Sequence, residues 1–289
     1  MEFRNIAKNK KRKLFLAIVL LISLAFLGWY SFLFEPNNIK IERISVEIEN
    51  LSKSFDGVKI IHLTDFHSRN FGEREKKILE IIKKLNPDFI FITGDFIDHT
   101  TEDIDSCQEF WRELGKQEQG KIFGVFGNHE HYWNKNFSIN SLKNLLEESE
   151  IIILSNENKK IFRDDGYFYL VGVDDPDTGN DDLGKAMGET EKNIPKILLA
   201  HSPDIINNLD SLGKEKIDLI LAGHTHGGQI RIPFIRPFWV PTKNRGKYAS
   251  GLFKVGSVYL YVNRGIGTTI LPIRFNCPPE IAVIELRKK

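Results

Sequence analysis

Short apolar runs alternate with amphipathic stretches through most of this chain. Val58–Thr64, Asp88–Thr93, Lys121–Phe126, Ile151–Leu154, Lys196–Ala200 and Ile217–Ala222 are too short for typical globular helices and are expected as buried strands. Between the first two, Glu73–Leu85 carries Ile78, Leu79, Ile81, Ile82 and Leu85 on one helical stripe, with Lys and Glu opposite. Ile104–Leu114 and the stretch from Ser138 to about Glu148 read as further helices, and Ile205–Leu212 as a short one. Lys160–Val173 is expected as a hairpin turning at Asp164-Asp165-Gly166. Residues 174–193 are acidic and Gly-rich, a loop with one short helix. From Gly227 onward the pattern turns to strands, at Gln229–Ile232, Gly251–Val255, Val258–Asn263 and Ile281–Leu286. Strands alternating with helices imply an α/β body, and in such sheets ligands bind beyond the carboxyl ends of the strands.

One segment breaks this rhythm. Leu14 to Phe34 runs 21 residues without a charged side chain, a helix of roughly 30 Å, about one hydrocarbon core. Arg4, Lys8, Lys10, Lys11, Arg12 and Lys13 precede it, Trp29 and Tyr30 lie near its far end, and Pro36 stops it. A core helix would not be apolar on every face. A cleaved signal peptide has the small-x-small triplet Ser23-Leu24-Ala25 in its favour, but cleavage there leaves Phe26–Phe34 as an apolar stub. The preferred reading is a basic cytoplasmic tail (1–13), a transmembrane anchor (14–34), a stalk or linker (35–54) whose start alternates loosely like a strand, and a domain over 55–289. The basic residues before the span place the domain outside the cytoplasm, at the bacterial inner membrane. The formal net charge of +1 over 289 residues gives no field for nucleic acid, and two distant cysteines exclude a disulfide framework or a thiolate zinc cluster.

The chemistry sits where the apolar runs end. Asp65-Phe66-His67, Gly94-Asp95, Gly127-Asn128-His129-Glu130, His201 and Gly223-His224-Thr225-His226 contain five of the eight histidines. In extended backbone, residues i and i+2 point the same way, so Asp65 with His67, and His224 with His226, can each grip one ion. Asp95 is a carboxylate able to bridge two ions, and Asn128 offers a neutral carbonyl oxygen. A donor set of oxygen and nitrogen without sulfur suits Mn, Fe or Zn. Each piece alone is weak, since a lone strand-end histidine is more often a hydrogen-bonded structural residue. The ordered conjunction, each member after an apolar run, is what points to a metal site.

That ordered set resembles the calcineurin-like metallophosphoesterase superfamily over roughly residues 55–289. The resemblance implies a four-layer αββα sandwich with two divalent ions between the sheets. It implies that Asp65, His67 and His226 bind one ion, that Asn128, His201 and His224 bind the other, and that Asp95 bridges them. By the same token His129 takes no metal and acts on the transition state or leaving oxygen, oriented by Asp98, while a hydroxide held between the ions attacks phosphorus. The arginines that phosphoprotein phosphatases of this superfamily carry near these motifs are missing, which disfavours a phosphoprotein substrate. The stretches 262–267 and 272–280 resemble a bacterial membrane-associated branch that includes cell-envelope phosphoesterases and the UDP-2,3-diacylglucosamine hydrolase of lipid A synthesis. A lipid or nucleotide-lipid substrate with a phosphodiester or pyrophosphate bond is therefore expected. If that substrate is a UDP-sugar lipid, the domain must instead face the cytoplasm.

The apolar residues after His226, from Ile230 to Val240, are interleaved with Arg231 and Arg236 and suggest a lipid-facing lip, although a strand and loop packed on the core would read the same way. Arg69, Arg264, Arg231 and Trp239 are the candidate substrate contacts. His62, His99 and His131 are expected in structural or supporting positions, and Glu130 is expected to fix its loop. The rival from another class is a non-catalytic cell-envelope scaffold on the same fold.

Overall fold

The computed structural model describes the chain except residues 1, 99, 102–103, 133–137, 213–215, 236, 238–239 and 245, and the side chains of 2–8 and 210–212. The apolar segment forms a continuous helix, α1 (Glu2–Trp29), that widens to a π-turn at Tyr30–Phe34 and ends in a 3-10 turn at Glu35–Asn37, where Pro36 lacks the amide needed to continue it. Over Asn9–Asn37 it is long and apolar enough to cross a bilayer, an 18-residue window of it having a mean hydropathy of 2.3.

The remainder folds in chain order as β1 (Lys40–Ile48), β2 (Lys59–Leu63), α2 (Glu73–Leu85), β3 (Phe89–Thr93), α3 (Ile104–Gln117), β4 (Ile122–Val125), α4 (Asn128–Tyr132), α5 (Ile139–Glu148), β5 (Ile151–Ile153), β6 (Glu157–Arg163), β7 (Gly166–Gly172), α6 (Leu183–Met187), β8 (Lys196–Leu199), β9 (Leu219–Ala222), β10 (Gly251–Val255), β11 (Val258–Val262) and β12 (Glu280–Lys288). These strands make two six-stranded sheets, ordered β1-β12-β2-β3-β4-β5 and β10-β11-β9-β8-β7-β6. Within them β2 to β5 run parallel, as do β7, β8, β9 and β11.

Three apolar layers hold the sheets and helices together. Ile60, Phe91, Phe123 and Val125 of the first sheet meet Phe168, Leu170, Ile197, Leu199 and Leu221 of the second. Because strand side chains alternate, Ile61, Leu63, Ile90 and Ile92 point the other way, onto Ile78, Ile82, Phe110, Trp111 and Leu146 of α2, α3 and α5. On the far face of the second sheet Val171, Leu198, Ile220 and Leu260 pack against Leu183, Met187 and Ile205. The result is the expected four-layer αββα sandwich.

Two local expectations are corrected and one is refined. Residues 40–48, placed in the 35–54 stalk, are built into the first sheet as β1, paired with β12 from Lys40↔Glu280 to Ile48↔Lys288. The short helix expected at Ile205–Leu212 is present over Pro203–Leu212, coiled as a 3-10 helix. Gln229–Ile232 is not a strand: Gly227, Gly228 and Gln229 all take positive φ, which breaks extended backbone, and Ile230 keeps only an isolated bridge to Phe275.

Candidate metal centre

Parallel strands bring their carboxyl ends to the same side, so the residues following β2, β3, β4, β8 and β9 converge in the crevice between the sheets. The exits are tied to one another: the Asp65 N–H donates to the Gly94 carbonyl at 3.1 Å, His67 N–H to the Asp95 carbonyl at 3.1 Å, and Gly223 N–H to the His201 carbonyl at 2.8 Å. Asp65, His67, Asp95, His224 and His226 all have φ between 45° and 68°. Left-handed backbone is costly for residues with a Cβ. Here it turns the chain sharply at the strand end, so each side chain faces the crevice. Gly223 permits this crowding, because a Cβ there would stand 2.0 Å from Thr64 Oγ1 and 2.5 Å from Asp65 Oδ2.

The donors fall into two groups. His67 Nε2 and His226 Nε2 lie 3.0 Å apart, and His226 Nε2 is 3.4 Å from Asp65 Oδ1. In the second group Asn128 Oδ1 is 3.0 Å from His201 Nε2 and 3.1 Å from His224 Nδ1, and the two ring nitrogens are 3.1 Å apart. Asp95 Oδ2 reaches both groups, 3.5 Å from His67 Nε2 and 3.4 Å from His201 Nε2. Ion–ligand bonds of about 2.0–2.2 Å set donors around one cation about 3–4 Å apart, which these spacings match.

Protonation agrees with cation binding. Burial pushes the His67 and His224 imidazoles down to about 3 and holds His226 well below its ordinary value. Neutral rings expose lone pairs, and His67 Nδ1 and His226 Nδ1 have no hydrogen-bond partner. His201 Nδ1 donates to the Thr93 carbonyl at 2.7 Å and His224 Nε2 to the Pro241 carbonyl at 2.8 Å. Those bonds fix the tautomers and leave His201 Nε2 and His224 Nδ1 free to bind. Burial pushes the Asp65 carboxyl up to about 7 and opposes charge on both Asp95 and His201. Their mutual attraction outweighs that penalty, holding Asp95 well below the carboxylate range and His201 well above its ordinary value. Without a cation His201 keeps its proton and Asp65 is drawn toward holding one; a divalent cation would displace both, and the crowded buried oxygen and nitrogen donors fit it.

His129 stands at the mouth, its ring 4.4 Å from that of His67 and its N–H donating to Asp95 Oδ1 at 3.0 Å. Asp98 Oδ2 is 3.8 Å from His67 Nδ1 and accepts from Arg69 at 3.2 Å, while Oδ1 accepts from the Thr100 N–H and hydroxyl. Burial would raise Asp98, but the Thr100 and Arg69 donors hold it at about 2. Glu130 is buried and knits two strand exits, accepting from Gly127 N–H at 2.7 Å, Asp95 N–H at 2.9 Å and Ile97 N–H at 3.3 Å. Burial, then Asp95, pushes its carboxyl up to about 8.

The candidate substrate contacts separate. Arg69, two-thirds exposed, lines a cleft of about 420 Å³ with His67. Arg264 is spent on structure, pairing with Glu280 and Glu42 at 2.5 Å each, which corrects its expected role on substrate. Arg231 borders a neighbouring groove with Ile232 and Phe234. Trp239, His99 and Arg236 lie outside the described residues. His62 is buried with Nε2 2.8 Å from Thr93 Oγ1. Sequence reasoning missed Asp174, whose Oδ1 is 2.6 Å from His131 Nε2. Asp174 follows the apolar run of β7 just as the ligands follow theirs, and that signal was available.

Comparison with known proteins agrees with this geometry. Residues 58–228 match the model of the calcineurin-like phosphoesterase family. The uncharacterized metallophosphoesterase YkuE of Bacillus subtilis is 31% identical over 263 residues, 89% of this chain and 89% of that protein. The phosphodiesterase YaeI of Escherichia coli is 30% identical over 79% of this chain and 82% of its own. A transmembrane protein with a metallophosphoesterase domain from Danio rerio is 28% identical over 98% of this chain and 64% of its own. The chain belongs to the calcineurin-like phosphoesterase family and is a metallophosphoesterase.

Proposed function

We propose that this chain is a membrane-anchored, dinuclear metal-dependent hydrolase of a phosphodiester or pyrophosphate bond in a lipid or nucleotide-lipid substrate, of which a UDP-2,3-diacylglucosamine-like molecule is one example. The observation that carries the reading is Asp95 Oδ2, within 3.5 Å of a donor from each group. Asp65, His67 and His226 would hold one ion, Asn128, His201 and His224 the other, and Asp95 both; Mn, Fe and Zn fit the donors. Such ions supply positive charge against phosphoryl oxygens and the acidity that makes water a nucleophile near neutral pH. The protein does the rest. Asp95 accepts the His129 backbone N–H and Asp98 lies beside His67, and the partly exposed His129 is placed to give a leaving oxygen its proton. Arg69 stands ready for a non-bridging phosphate oxygen.

The anchor reading rests on the apolar helix and on the transmembrane relative. With basic residues ahead of the span, the domain faces away from the cytoplasm of a bacterial inner membrane. A C-terminal alkaline phosphatase fusion would be active in that topology, and a fluorescent cytosolic GFP fusion would reverse it.

The test of the chemistry is hydrolysis of bis(p-nitrophenyl) phosphate with added Mn. Asp95→Ala and His129→Ala are each expected to lose at least a hundredfold in rate, and Asp95→Ala to lose bound metal as well. Wild-type rates in both variants would overturn the site assignment. A purified protein that takes up no metal would favour the scaffold reading.

A further inference from the structure

The β9 exit continues past His226 into a loop whose apolar side chains find no core. Ile230, Ile232, Phe234 and Ile235 are exposed, as are Ile270 and Leu271 on a second loop. Between these loops lies a cavity of about 460 Å³, walled by Gly228, Ile230, Ile232, Ile270 and Leu271 and reaching His226 at its inner end. That volume is in the range of small-molecule sites. Ile270 has φ 59° and is 81% exposed, Phe234 φ 67° and fully exposed. A β-branched residue in left-handed backbone is a conformational outlier, and here it holds an apolar side chain away from the domain.

The α1 end of the chain is bonded to the same loops. Tyr30 packs edge-on against Phe275 at 5.9 Å, and the Arg274 N–H donates to the Ser31 carbonyl at 3.0 Å. Phe275 in turn donates its N–H to the Gln229 carbonyl, and its own carbonyl accepts from Arg231 N–H. Gln229 Nε2 donates to the Thr269 and Leu271 carbonyls, closing the cavity wall. Glu35, buried, accepts from the Cys277 N–H, and Cys277 Sγ donates to the His226 carbonyl at 3.3 Å. The helix therefore does not hang from a free tether. It is fastened to the backbone that carries both a metal ligand and the cavity, so a bilayer around the helix lies against these exposed loops.

We propose that the cavity between residues 228–232 and 269–271 takes one hydrocarbon chain of a membrane lipid, entering from the bilayer and leading its phosphate to the centre. This rests on the phosphoesterase reading and specifies where the lipid part of that substrate is held. Apolar walls, a mouth rimmed by outward apolar residues, and a floor at His226 suit a chain attached to a phosphate.

The probes are methyl p-nitrophenyl phosphate and dodecyl p-nitrophenyl phosphate, compared on the full chain in one detergent. In each, water oxygen bonds to phosphorus, the aryl P–O bond breaks, and p-nitrophenolate leaves with a proton released. The wild type is expected to favour the dodecyl diester at least tenfold in kcat/KM. Ile232→Asn with Ile270→Asn, asparagine being at ease in the left-handed backbone of position 270, should cut that preference below threefold while the methyl diester is hydrolysed at the wild-type rate. Because partition into detergent is common to both proteins, the change reports the cavity. Calorimetric Kd values for the two diesters on Asp95→Ala protein measure the same preference without turnover. If neither diester is hydrolysed, the phosphoesterase reading fails while the Kd ratio still decides on the cavity. Equal affinity for the two diesters, or a preference that survives in the double variant, overturns the proposal. So does a dimer by light scattering that the double variant dissociates, for then the cavity is covered by a second copy of the chain.

Discussion

Glu130 offers the sharpest test of how the centre is assembled. Its carboxylate is 3% exposed and accepts three backbone N–H groups from two different strand exits, Gly127 after β4 and Asp95 and Ile97 after β3. Glu130→Ala removes all three acceptors in a buried site. A buried N–H left unpaired costs about 1–3 kcal/mol; with two short bonds and one of 3.3 Å, the total is about 3–6 kcal/mol. That is a large part of the roughly 5–15 kcal/mol that holds a domain folded. Glu130→Gln keeps one acceptor oxygen for the Gly127 and Asp95 amides and turns its NH2 toward the Ile97 N–H, so it loses one long bond, about 1–2 kcal/mol. Gln is also a fair mimic of a carboxyl pushed up to about 8. Thermal unfolding followed by tryptophan fluorescence, after chelation so that metal binding does not contribute, should lower Tm by about 2–8 °C for Gln and by at least twice that for Ala. An alanine variant that melts within a degree of wild type and still binds metal would show that the two exits are not held by this carboxylate.

Other outcomes follow from the same contacts. Gly223→Ala puts a methyl 2.0 Å from Thr64 Oγ1, so it should cost about 1–3 kcal/mol of overpacking and weaken metal retention in dialysis, whereas a neutral effect would deny the close approach. His62 is held neutral by burial, its imidazole pushed down to about 3 from 6.5. The unfolded chain therefore binds the extra proton first, and stability is lost as pH falls below 6.5. Urea titrations of wild type should lose about 1.4 kcal/mol more per pH unit than His62→Gln between pH 6 and 4, and parallel pH profiles would contradict this. Glu35→Ala orphans the Cys277 N–H, so Tm should fall and bis(p-nitrophenyl) phosphate hydrolysis should weaken although Glu35 touches no ligand. Unchanged values would mean that the α1 junction is not coupled to His226.

Much of this architecture was legible because two periods were clean. Glu73–Leu85 is a helix with the bounds its stripe implied, and Ser138 caps α5 by accepting the Ser141 N–H. The short apolar runs became buried strands because both faces of each sheet are covered. What misled was local chemistry overriding pattern. Residues 40–48 alternate loosely like a strand but read as part of the stalk because their outer positions are polar, yet an edge strand needs only one buried face, supplied here by Val46 and Ile48. Gln229–Ile232 looked like a strand because its apolar residues alternate, but the preceding glycines at positive φ aim that loop outward. Arg264 looked available for substrate because nothing in its neighbourhood announces Glu42, 222 residues away.

The residues gathered in the crevice are picked out through residue type and order, while what brings them together is hidden in the sequence. The i, i+2 argument for Asp65 with His67 assumed extended backbone. The structure instead gives both residues left-handed φ, and does the same for His224 and His226. Two side chains two apart converge here because the chain curls, and the curl is maintained from outside the motif: Gly267 N–H holds the Asp65 carbonyl, and Ile266 N–H holds that of Thr64. Arg274, fully buried, then pins that segment by donating to the Gly265 and Gly267 carbonyls. A guanidinium 209 positions from Asp65 by sequence number thus helps maintain the backbone that aims the first ligand. It is the next residue's N–H, Phe275, that bonds the Gln229 carbonyl, and Arg274's own N–H that bonds Ser31. The same short segment therefore supports the ligand turn, the cavity wall and the end of the apolar helix, which is why a motif search finds the Asp and His clusters and passes over the residues that position them.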